Sequence, residues 1–248
     1  MTGGGRGIGR ATALALAKAG ANVTLSARTR KEIEAVADEV RGLGVKALAV
    51  PADVGKAEDV KALFAAARQG LGPVDILVNG AGIAPSAPLP RTTDEMWSQV
   101  IAVNLSGVFY GMREALPEMT ARGWGRVVNI ASIAGKSAMP YIAAYVASKH
   151  GVLGITKVAA LEVALKGVTV NAVCPGYVDT PMTDGGIARM SEKTGRSPEE
   201  IRKHIEELSP QKRMVTSEEV AELVLYLCGD AARGITGQGL NVDGGTRM

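Results

Sequence analysis

Residues 2–10 read Thr-Gly-Gly-Gly-Arg-Gly-Ile-Gly-Arg and lead directly into a segment whose apolar residues recur at helical spacing. Glycine residues allow a turn to adopt positive φ and allow backbone N–H groups to approach a ligand closely. Because the N-terminus of a helix favours negative charge, such a turn is suited to bind a pyrophosphate group. A glycine-rich turn has low specificity when taken alone, so a purely structural turn is the alternative interpretation.

Strand and helix patterns alternate along the rest of the chain. Runs such as Ile76–Val78 are continuously apolar, which is typical of strands that are buried on both faces. We therefore predict an α/β fold with a doubly wound parallel sheet of the Rossmann type. The predicted strands are Asn22–Ala27, Val45–Pro51, Val74–Asn79, Arg126–Ser132, Val168–Cys174 and Gly239–Val242.

The absence of repeats and linkers predicts one domain over residues 1–248. Segment 182–211 is polar and rich in charge, so we expect a mobile flap over a site, with a short amphipathic helix at Pro198–Leu208. Capping boxes are predicted where Thr216 precedes Glu219 and where Thr92 precedes Glu95.

Composition excludes several classes of protein. The chain has 248 residues, of which 46% are apolar and 21% are charged. These fractions exclude disordered and fibrous proteins. The net charge is +3 and only nine residues are aromatic (2 Trp, 5 Tyr and 2 Phe), so we expect no nucleic-acid partner. The sequence shows no long apolar run and no signal-peptide pattern, and we expect a cytoplasmic protein without a membrane partner.

The two histidines and the two cysteines lie far apart in the sequence, without the close spacing of a zinc site. We therefore expect no metal. Two isolated thiols, Cys174 and Cys228, indicate a reducing compartment. His150 follows Lys149 on a predicted helix and points about 100° away from it, so we interpret His150 as a packing or rim residue.

Further motifs follow the glycine turn in a fixed order. They are Asn79-Gly80-Ala81-Gly82, Asn104, Ser132, Tyr145-x3-Lys149 and Pro175-Gly176. Together with Gly3-x3-Gly7-x-Gly9, this set resembles the short-chain dehydrogenase/reductase family over essentially the whole chain. Within that family, the stretches 125–132 and 171–176 are most similar to 3-oxoacyl thioester (acyl carrier protein) reductases and polyketide ketoreductases. The resemblance implies a nicotinamide-dependent oxidoreductase that acts on CH–OH or C=O groups.

Tyr145 and Lys149 stand at i and i+4, which places both on one face of a helix. A phenol has a pKa near 10, so we expect the Lys149 ammonium to lower the pKa of Tyr145. The resemblance implies that Ser132 holds the substrate carbonyl oxygen while Tyr145 transfers the proton. It also implies that Asn104 anchors a proton-relay water and that Lys149 binds the nicotinamide ribose. A local helix perturbation is the alternative for Asn104.

Arg28 directly follows the predicted strand Asn22–Ala27, which corresponds to the second strand of a dinucleotide-binding fold. At this position an acidic residue would bind the ribose 2′-hydroxyl of NAD. We expect Arg28 and Arg6 to meet a 2′-phosphate, so NADP(H) is the preferred cofactor and NAD(H) the alternative. A solvated strand-end charge is the other interpretation of Arg28. Asp53 resembles the residue that binds the adenine amino group, with a helix N-cap as the alternative. The cofactor residues that the resemblance implies are Gly3, Arg6, Gly7, Ile8, Gly9, Arg28, Asp53, Val54, Asn79, Ala81, Gly82, Tyr145, Lys149, Pro175, Gly176, Val178 and Thr180.

The sequence departs from the family pattern in two places. Gly80 stands where a second Asn is usual, a change that we expect to be tolerated. In the family an apolar strand precedes the Thr-Gly turn and lies at the centre of the sheet, whereas only Met1 precedes Thr2 here. We expect the natural protein to begin upstream and to supply that strand, which is missing from this chain.

The expected substrate is a carbonyl or alcohol compound, most simply a 3-oxoacyl thioester on acyl carrier protein or CoA. A free cyclic or aromatic secondary alcohol is the alternative, and an inactive nucleotide-binding scaffold is the alternative of another class. Arg122 and Lys166 lie near positions that help to dock an acyl carrier protein in the reductases that the chain resembles, although surface cations alone are commonly only solvated. The helices around Asn104 and Tyr145 and the last strand resemble elements of homotetramer assembly.

Overall fold

The computed structural model describes residues 1–247, and six parallel strands form its centre. The strands are β1 (Val23–Leu25), β2 (Ala47–Ala49), β3 (Ile76–Asn79), β4 (Gly125–Ile130), β5 (Val168–Pro175) and β6 (Gly239–Val242). The α-helices are α1 (Gly7–Lys18), α2 (Arg30–Arg41), α3 (Ala57–Leu71), α4 (Asp94–Ile101), α5 (Gly107–Arg122), α6 (Ala143–Val163), α7 (Pro181–Thr194), α8 (Pro198–Glu207) and α9 (Ser217–Cys228). Because parallel strands need crossover connections, helices lie between them along the chain. This confirms the predicted α/β fold.

Strands β3 to β6 pair in the order β3-β4-β5-β6, and β1 pairs with β2 in a separate pair. Residues 1 and 2 link the two parts. Thr2 forms parallel bridges with both Ser26 and Asn79, and the Met1 amine donates to Thr24 O at 2.8 Å. Below this link, β1 and β3 face each other across a cleft of about 340 Å³. The sheet is therefore interrupted where we expected a strand to be missing.

Apolar side chains fill both faces of the sheet. One cluster packs α3, α5 and α6 against β3, β4 and β5, with Phe64, Val127 and Val152 buried in it. A second cluster packs α1 and α9 against the opposite face, with Val128 and Val224 at its centre. A third lies between α2 and β1. Since β4 is covered on both faces, all six of its residues are buried, the polar Arg126 and Asn129 together with the apolar Val127, Val128 and Ile130.

Each predicted strand overlaps an observed one: β1, β2 and β3 are shorter than predicted, β4 begins one residue earlier and ends two residues earlier, β5 ends one residue later, and β6 has the predicted bounds. The capping box of Thr216 and Glu219 is confirmed at the start of α9. The predicted capping box at Thr92 is wrong by one residue, because Thr93 is the N-cap of α4 and accepts from Met96 N. Thr92 instead ends a short 3₁₀ turn, and its hydroxyl donates to Pro88 O.

Segment 182–211 contains more helix than we predicted. Its second part is the expected amphipathic helix, observed as α8, but its first part forms α7, which the sequence analysis missed. In the described part of the chain, none of the helices combines the length and the apolar character needed to cross a membrane.

Candidate active site

The glycine turn lies at the N-terminus of α1 and packs too tightly for side chains. Gly3 and Gly7 have φ of 68° and 51°, in the region that favours glycine. A Cβ added at Gly9 would come within 2.0 Å of Gly3 O, so the turn is closed by backbone contact. The N-cap residue Arg6 is extended and gives α1 no side-chain cap. The first N–H groups of α1 can therefore bind an anion, which fits the pyrophosphate of a dinucleotide.

The turn after β3 lies against the glycine turn. A Cβ added at Gly3 would lie 2.7 Å from Gly80 O, and the Thr2 hydroxyl accepts from Gly80 N at 3.1 Å. The Asn79 side chain points into the interior and donates to Asn129 Oδ1 at 2.9 Å. The Asn79 side chain therefore holds the turn in place from below. Ala81 packs partly against the core, and a Cβ at Gly82 would lie 3.9 Å from Lys149 Nζ.

Three of the four predicted catalytic side chains, those of Ser132, Tyr145 and Lys149, meet at the carboxyl end of β4. Ser132 follows β4, and its hydroxyl lies close enough to the Tyr145 phenol to act on the pKa of that phenol. Tyr145 lies in the first turn of α6, and Lys149 follows one turn later, with Nζ 5.6 Å from the centre of the Tyr145 ring. Lys149 is only 4% exposed, and its ammonium donates to Ile130 O at 2.7 Å. Carboxyl ends of parallel strands are where doubly wound folds bind ligands.

The electrostatics of this group differ from our expectation in one respect. Burial raises the pKa of the Tyr145 phenol, and only the hydrogen bond with Ser132 acts in the opposite direction. Burial also lowers the pKa of Lys149 to about 8. The protein groups alone thus keep the phenol protonated at neutral pH, whereas we expected Lys149 to lower the pKa of Tyr145. The cause is desolvation, which disfavours both the phenolate and the ammonium.

Asn104 is fully buried in a π-helical turn, residues 102–106, between α4 and α5. Its Oδ1 accepts from Ile83 N at 2.9 Å, and its Nδ2 donates to Ile83 O at 2.9 Å and to Ser148 Oγ at 3.2 Å. The Ser148 hydroxyl donates in turn to Tyr145 O. Asn104 therefore connects the segment after β3 with the helix that carries Tyr145 and Lys149.

The residues expected to select the cofactor lie around the carboxyl end of β1. Arg28 is exposed beyond β1, and Arg6 lies 3.8 Å from Glu32. The Asp53 carboxylate accepts from Gly55 N at 3.0 Å in a local turn. The alternative of a helix N-cap for Asp53 is wrong, because the N-cap of α3 is Lys56.

The end of β5 completes the site. Pro175 is the last residue of β5, and Gly176 donates to Val242 O at 3.0 Å. Val178 is buried, and Thr180 is the N-cap of α7. A Cβ added at Gly7 would lie 3.2 Å from Thr180 Cγ2, so Thr180 lies beside the start of α1. The side chains of Ile8 and Val54 pack against or within the apolar clusters.

Three residues around this site were not predicted from the sequence. Lys136 donates to Gly239 O at 2.5 Å and to Asn241 Oδ1 at 2.6 Å, which ties the segment after Ser132 to β6. Tyr141 has φ of 69° and is exposed, and its carbonyl accepts from Ala87 N at 2.8 Å. Ser148 bridges Asn104 and Tyr145, as described above. Only Ser148 carried a sequence signal, its position beside Lys149 on the helix.

Other predicted residues lie away from the site. Arg122 ends α5 and Lys166 precedes β5, so both lie at the amino-terminal edge of the sheet, opposite Ser132 in the same subunit. Arg122 forms ion pairs with Asp75 and Glu118. His150 is exposed, and its Nδ1 lies 3.0 Å from Val146 O, as expected of a rim residue.

Comparisons with known proteins match nearly the whole chain. The family model described as enoyl-(acyl carrier protein) reductase matches residues 3–247. A D-β-hydroxybutyrate dehydrogenase from Rhizobium meliloti is 45% identical, over 99% of this chain and 96% of the relative. A 3-oxoacyl-[acyl-carrier-protein] reductase from Staphylococcus epidermidis is 38% identical, over 100% of this chain and 98% of the relative.

A solved structure extends the comparison to three dimensions. A crystal structure of an actinorhodin polyketide ketoreductase with NADPH is 42% identical, with a TM-score of 0.96, and the match covers 99% of this chain and 95% of the other. These matches span the glycine turn, the predicted catalytic residues and the end of β5. The chain therefore belongs to the short-chain dehydrogenase/reductase family and is an NAD(P)-dependent oxidoreductase that acts on CH–OH or C=O groups.

Proposed function

We propose that the chain is an NADP(H)-dependent reductase that converts a 3-oxoacyl thioester into the 3-hydroxyacyl product. The observation that carries this proposal is the meeting of Ser132, Tyr145 and Lys149 beside the glycine turn at the carboxyl end of β4. A neutral phenol, a hydroxyl and a buried ammonium around one point are suited to polarise and protonate a carbonyl oxygen.

The raised pKa of Tyr145 suits the phenol to act as the acid when a carbonyl is reduced. A phenol that stays protonated at neutral pH is a general acid, and reduction of a carbonyl requires a proton at the developing alkoxide. In this mechanism the Ser132 hydroxyl donates to the carbonyl oxygen, and the Tyr145 phenol then transfers its proton to the same oxygen. The Lys149 ammonium stabilises the phenolate that remains. A bound dihydronicotinamide supplies the hydride to the carbonyl carbon.

NADP(H) is supported by the cations around the end of β1. Arg28 is exposed beyond the end of β1, at the position where an acidic residue would bind the ribose 2′-hydroxyl of NAD. A guanidinium pairs bidentately with a phosphate. Arg6 is the N-cap residue of α1 and is paired with Glu32. We therefore propose Arg28 as the main contact of the 2′-phosphate, with Arg6 as the second. The ketoreductase structure similar to this chain contains NADPH, which agrees with this choice.

A second candidate function is the interconversion of a free 3-hydroxy acid and its 3-oxo acid. The similarity to a D-β-hydroxybutyrate dehydrogenase, at 45% identity, favours it. Both candidates place the carbonyl of the third carbon between Ser132 and Tyr145. They differ at the first carbon, which carries a thioester in the first candidate and a free carboxylate in the second. A free cyclic ketone or alcohol would use the same three side chains.

One panel of assays tests these proposals together. Purified protein is given acetoacetyl-CoA, acetoacetate, a cyclic ketone and crotonyl-CoA, each with NADPH and with NADH, and the cofactor absorbance is followed. We expect the highest kcat/KM for acetoacetyl-CoA with NADPH. A preference for acetoacetate would favour the second candidate, and a preference for crotonyl-CoA would favour reduction of a C=C bond.

The inactive scaffold is tested with a variant of the proposed general acid. Tyr145→Phe removes one oxygen and should lower kcat by about 10²–10⁴ while it leaves the affinity for NADPH nearly unchanged. If the natural protein and Tyr145→Phe both bind NADPH but reduce none of the carbonyl compounds, the chain is a nucleotide-binding scaffold.

We also propose a homotetramer, with assembly through the helices around Asn104 and Tyr145 and through the last strand. Leu161 on α6 and Leu165 in the following turn are 80% and 97% exposed, which is unusual for leucine. Light scattering after size exclusion measures the assembly directly. We further propose a reducing, cytoplasmic location, in which the buried thiols of Cys174 and Cys228 stay free.

A further inference from the structure

A chain of hydrogen-bonded side chains runs through the interior from β3 across β4 to α6. Asn79 Nδ2 donates to Asn129 Oδ1 at 2.9 Å, and Asn129 Nδ2 donates to Thr156 Oγ1 at 2.9 Å. The Thr156 hydroxyl donates in turn to Val152 O at 2.7 Å. All three polar side chains are buried, and Asn129 is fully so. Because an unpaired polar group is costly in the interior, these hydrogen bonds resist a shift of the elements that carry them.

The direction of these hydrogen bonds is fixed from the α6 end. The Val152 carbonyl can only accept, so it takes the one proton of the Thr156 hydroxyl. Thr156 must then accept from Asn129, which turns its NH2 group toward α6 and its oxygen toward Asn79. The second N–H of Asn129 faces Met112 Sδ, a weak acceptor, at 3.6 Å. A side chain at position 156 that cannot accept would therefore leave a buried N–H of Asn129 without its partner.

The contact between Asn129 and Thr156 joins the two elements that carry the candidate catalytic side chains. Asn129 lies on β4, three residues before Ser132. Thr156 lies on α6, seven residues after Lys149, so the two side chains are two helical turns apart on the same buried face. Tyr145 is in the first turn of that helix. A displacement of α6 along β4 would therefore move Tyr145 and Lys149 together relative to Ser132.

The remaining contacts of α6 give this displacement less control. Buried residues such as Ala159 and Ala160 are small and apolar, and apolar packing is not directional. Lys149 donates to Ile130 O, but its ammonium is also proposed to stabilise the phenolate and to bind the ribose during the reaction. The hydrogen bond from β4 to Thr156 is a directional contact that can stay unchanged throughout.

We propose that Asn129 and Thr156 are positioning residues for the reaction. Their hydrogen bond sets the position of α6 along β4, and with it the distance between the Ser132 hydroxyl and the Tyr145 phenol. A misplacement of about 1 Å between reacting groups can lower a rate about 10²-fold. This inference rests on the roles proposed above for Ser132 and Tyr145, and it does not depend on which carbonyl compound is the substrate.

The test compares Thr156→Val, Thr156→Cys and Thr156→Ser, with the carbonyl compound that the natural protein reduces fastest. Valine keeps the shape of threonine but cannot accept a hydrogen bond, the cysteine thiol is a weak acceptor, and the serine hydroxyl is a full acceptor. We expect kcat per NADPH-binding site to fall about tenfold to 100-fold in Thr156→Val, less in Thr156→Cys and at most about threefold in Thr156→Ser. KM and the Kd of NADPH should stay within about threefold.

This order distinguishes positioning from packing. A role in packing alone predicts the reverse order, because serine lacks the methyl group that valine retains. A double-mutant cycle with Ser132→Ala gives a second distinction. Without the Ser132 hydroxyl the substrate oxygen has no partner on the β4 side, so Thr156→Val should then lower the residual kcat by less than about threefold. A loss of folded protein would lower kcat equally in both backgrounds.

Thr169→Val is the matched control. Thr169 is a buried threonine of β5, and its hydroxyl has no hydrogen-bond partner among residues 1–247. The same substitution there should retain the natural kcat.

The proposal is overturned if the Thr156 variants all keep the natural kcat, if Thr156→Ser is the slowest of them, or if Thr156→Val has the same effect with and without Ser132. It is also overturned if Thr169→Val loses as much activity as Thr156→Val. If Thr156→Val does not fold, Thr156→Cys and Thr156→Ser still decide between the two orders. If Ser132→Ala and Tyr145→Phe both keep the natural kcat, the proposed mechanism itself is wrong.

Discussion

Lys149 is the group that should set the alkaline limit of reduction. Burial lowers its pKa to about 8, while burial raises the pKa of Tyr145 above its ordinary value of 10. As the pH rises through about 8, the ammonium loses its proton and can no longer stabilise the Tyr145 phenolate. We therefore predict that kcat/KM for reduction falls above about pH 8, which a pH profile at saturating NADPH measures.

The profile distinguishes the two ionisations. A decline that begins only near pH 10 or higher would assign the alkaline limb to the phenol and contradict the role given to Lys149. Dissociation of NADPH is measured over the same pH range as the control, because Lys149 is also proposed to bind the ribose.

Arg28 provides a prediction about the cofactor. Arg28→Gln removes a charged hydrogen bond to the 2′-phosphate, an interaction of about 1.5–3 kcal/mol. We predict a loss of about 10- to 100-fold in kcat/KM with NADPH and little change with NADH. Arg30→Gln is the control, since Arg30 is exposed nearby and already paired with Glu34. Equal losses with both cofactors would show that Arg28 acts on folding and not on the phosphate.

At the scale of single residues, sequence spacing predicted which side chains meet but not their surroundings. The i and i+4 spacing of Tyr145 and Lys149 fixed their shared face, because helix geometry is local. The pKa of Tyr145 depends on burial by distant segments, so the sequence could not provide its direction. The same holds for Asn104, because its partner Ile83 directly follows the Asn79–Gly82 motif but shows no sequence signal of a contact 21 residues away.

Two helices begin with the same device but stand in different parts of the molecule. Ser197 with Glu200 caps α8, which packs with α7 around a small apolar cluster of its own, and Thr216 with Glu219 caps α9, which packs on the main sheet. We predict that Thr216→Ala lowers the free energy of global unfolding by about 1 kcal/mol, because an N-cap hydroxyl is lost from a helix of the main core. Urea denaturation followed by circular dichroism measures this change.

Ser197→Ala is the matched variant. It removes an equivalent cap from a helix that has its own small core, so we expect faster hydrogen exchange in α8 with little effect on global unfolding. If Ser197→Ala lowers the global stability as much as Thr216→Ala does, α7 and α8 are not a separate packing unit.

At the scale of elements, apolar strands and capped helices were predictable, while polar helices were not. Strand β4 is a run of buried residues, and its sequence alone marks it as central. Helix α7 buries only Ile187 and contains two glycines, so its sequence shows almost no amphipathic pattern. Its stability comes from α8 and from the Thr180 cap, which are tertiary and local contacts that composition does not reveal.

In a chain produced with Met1 as its first residue, the interrupted sheet makes the stability of the whole molecule depend on pH. The Met1 ammonium lies between β1 and β3, and burial lowers its pKa from 8.0 to about 6. The folded state therefore disfavours the charged amine, and its stability is reduced below about pH 6. As the pH rises from 6 to 8 the unfolded chain holds more protons than the folded one, so we predict a gain on the order of 2 kcal/mol in unfolding free energy over this range.

An extended chain is the control for this effect. Five apolar residues joined before Met1 convert the amine to an amide and offer a strand to the free edges of β1 and β3. This form should lose the dependence between pH 6 and 8 and unfold at a higher urea concentration. An unchanged midpoint would show that the cleft of about 340 Å³ does not accept a strand.

The isolated bridge between Val178 and Val215 closes the base of residues 179–214, and this has a consequence for how such proteins diversify. Thirty-odd residues can be cut out at one place and replaced by a counterpart of different length, without breaking any pairing of the central sheet. Replacement of this one segment can thus change which carbonyl compounds are accepted, while Ser132, Tyr145 and Lys149 keep their positions.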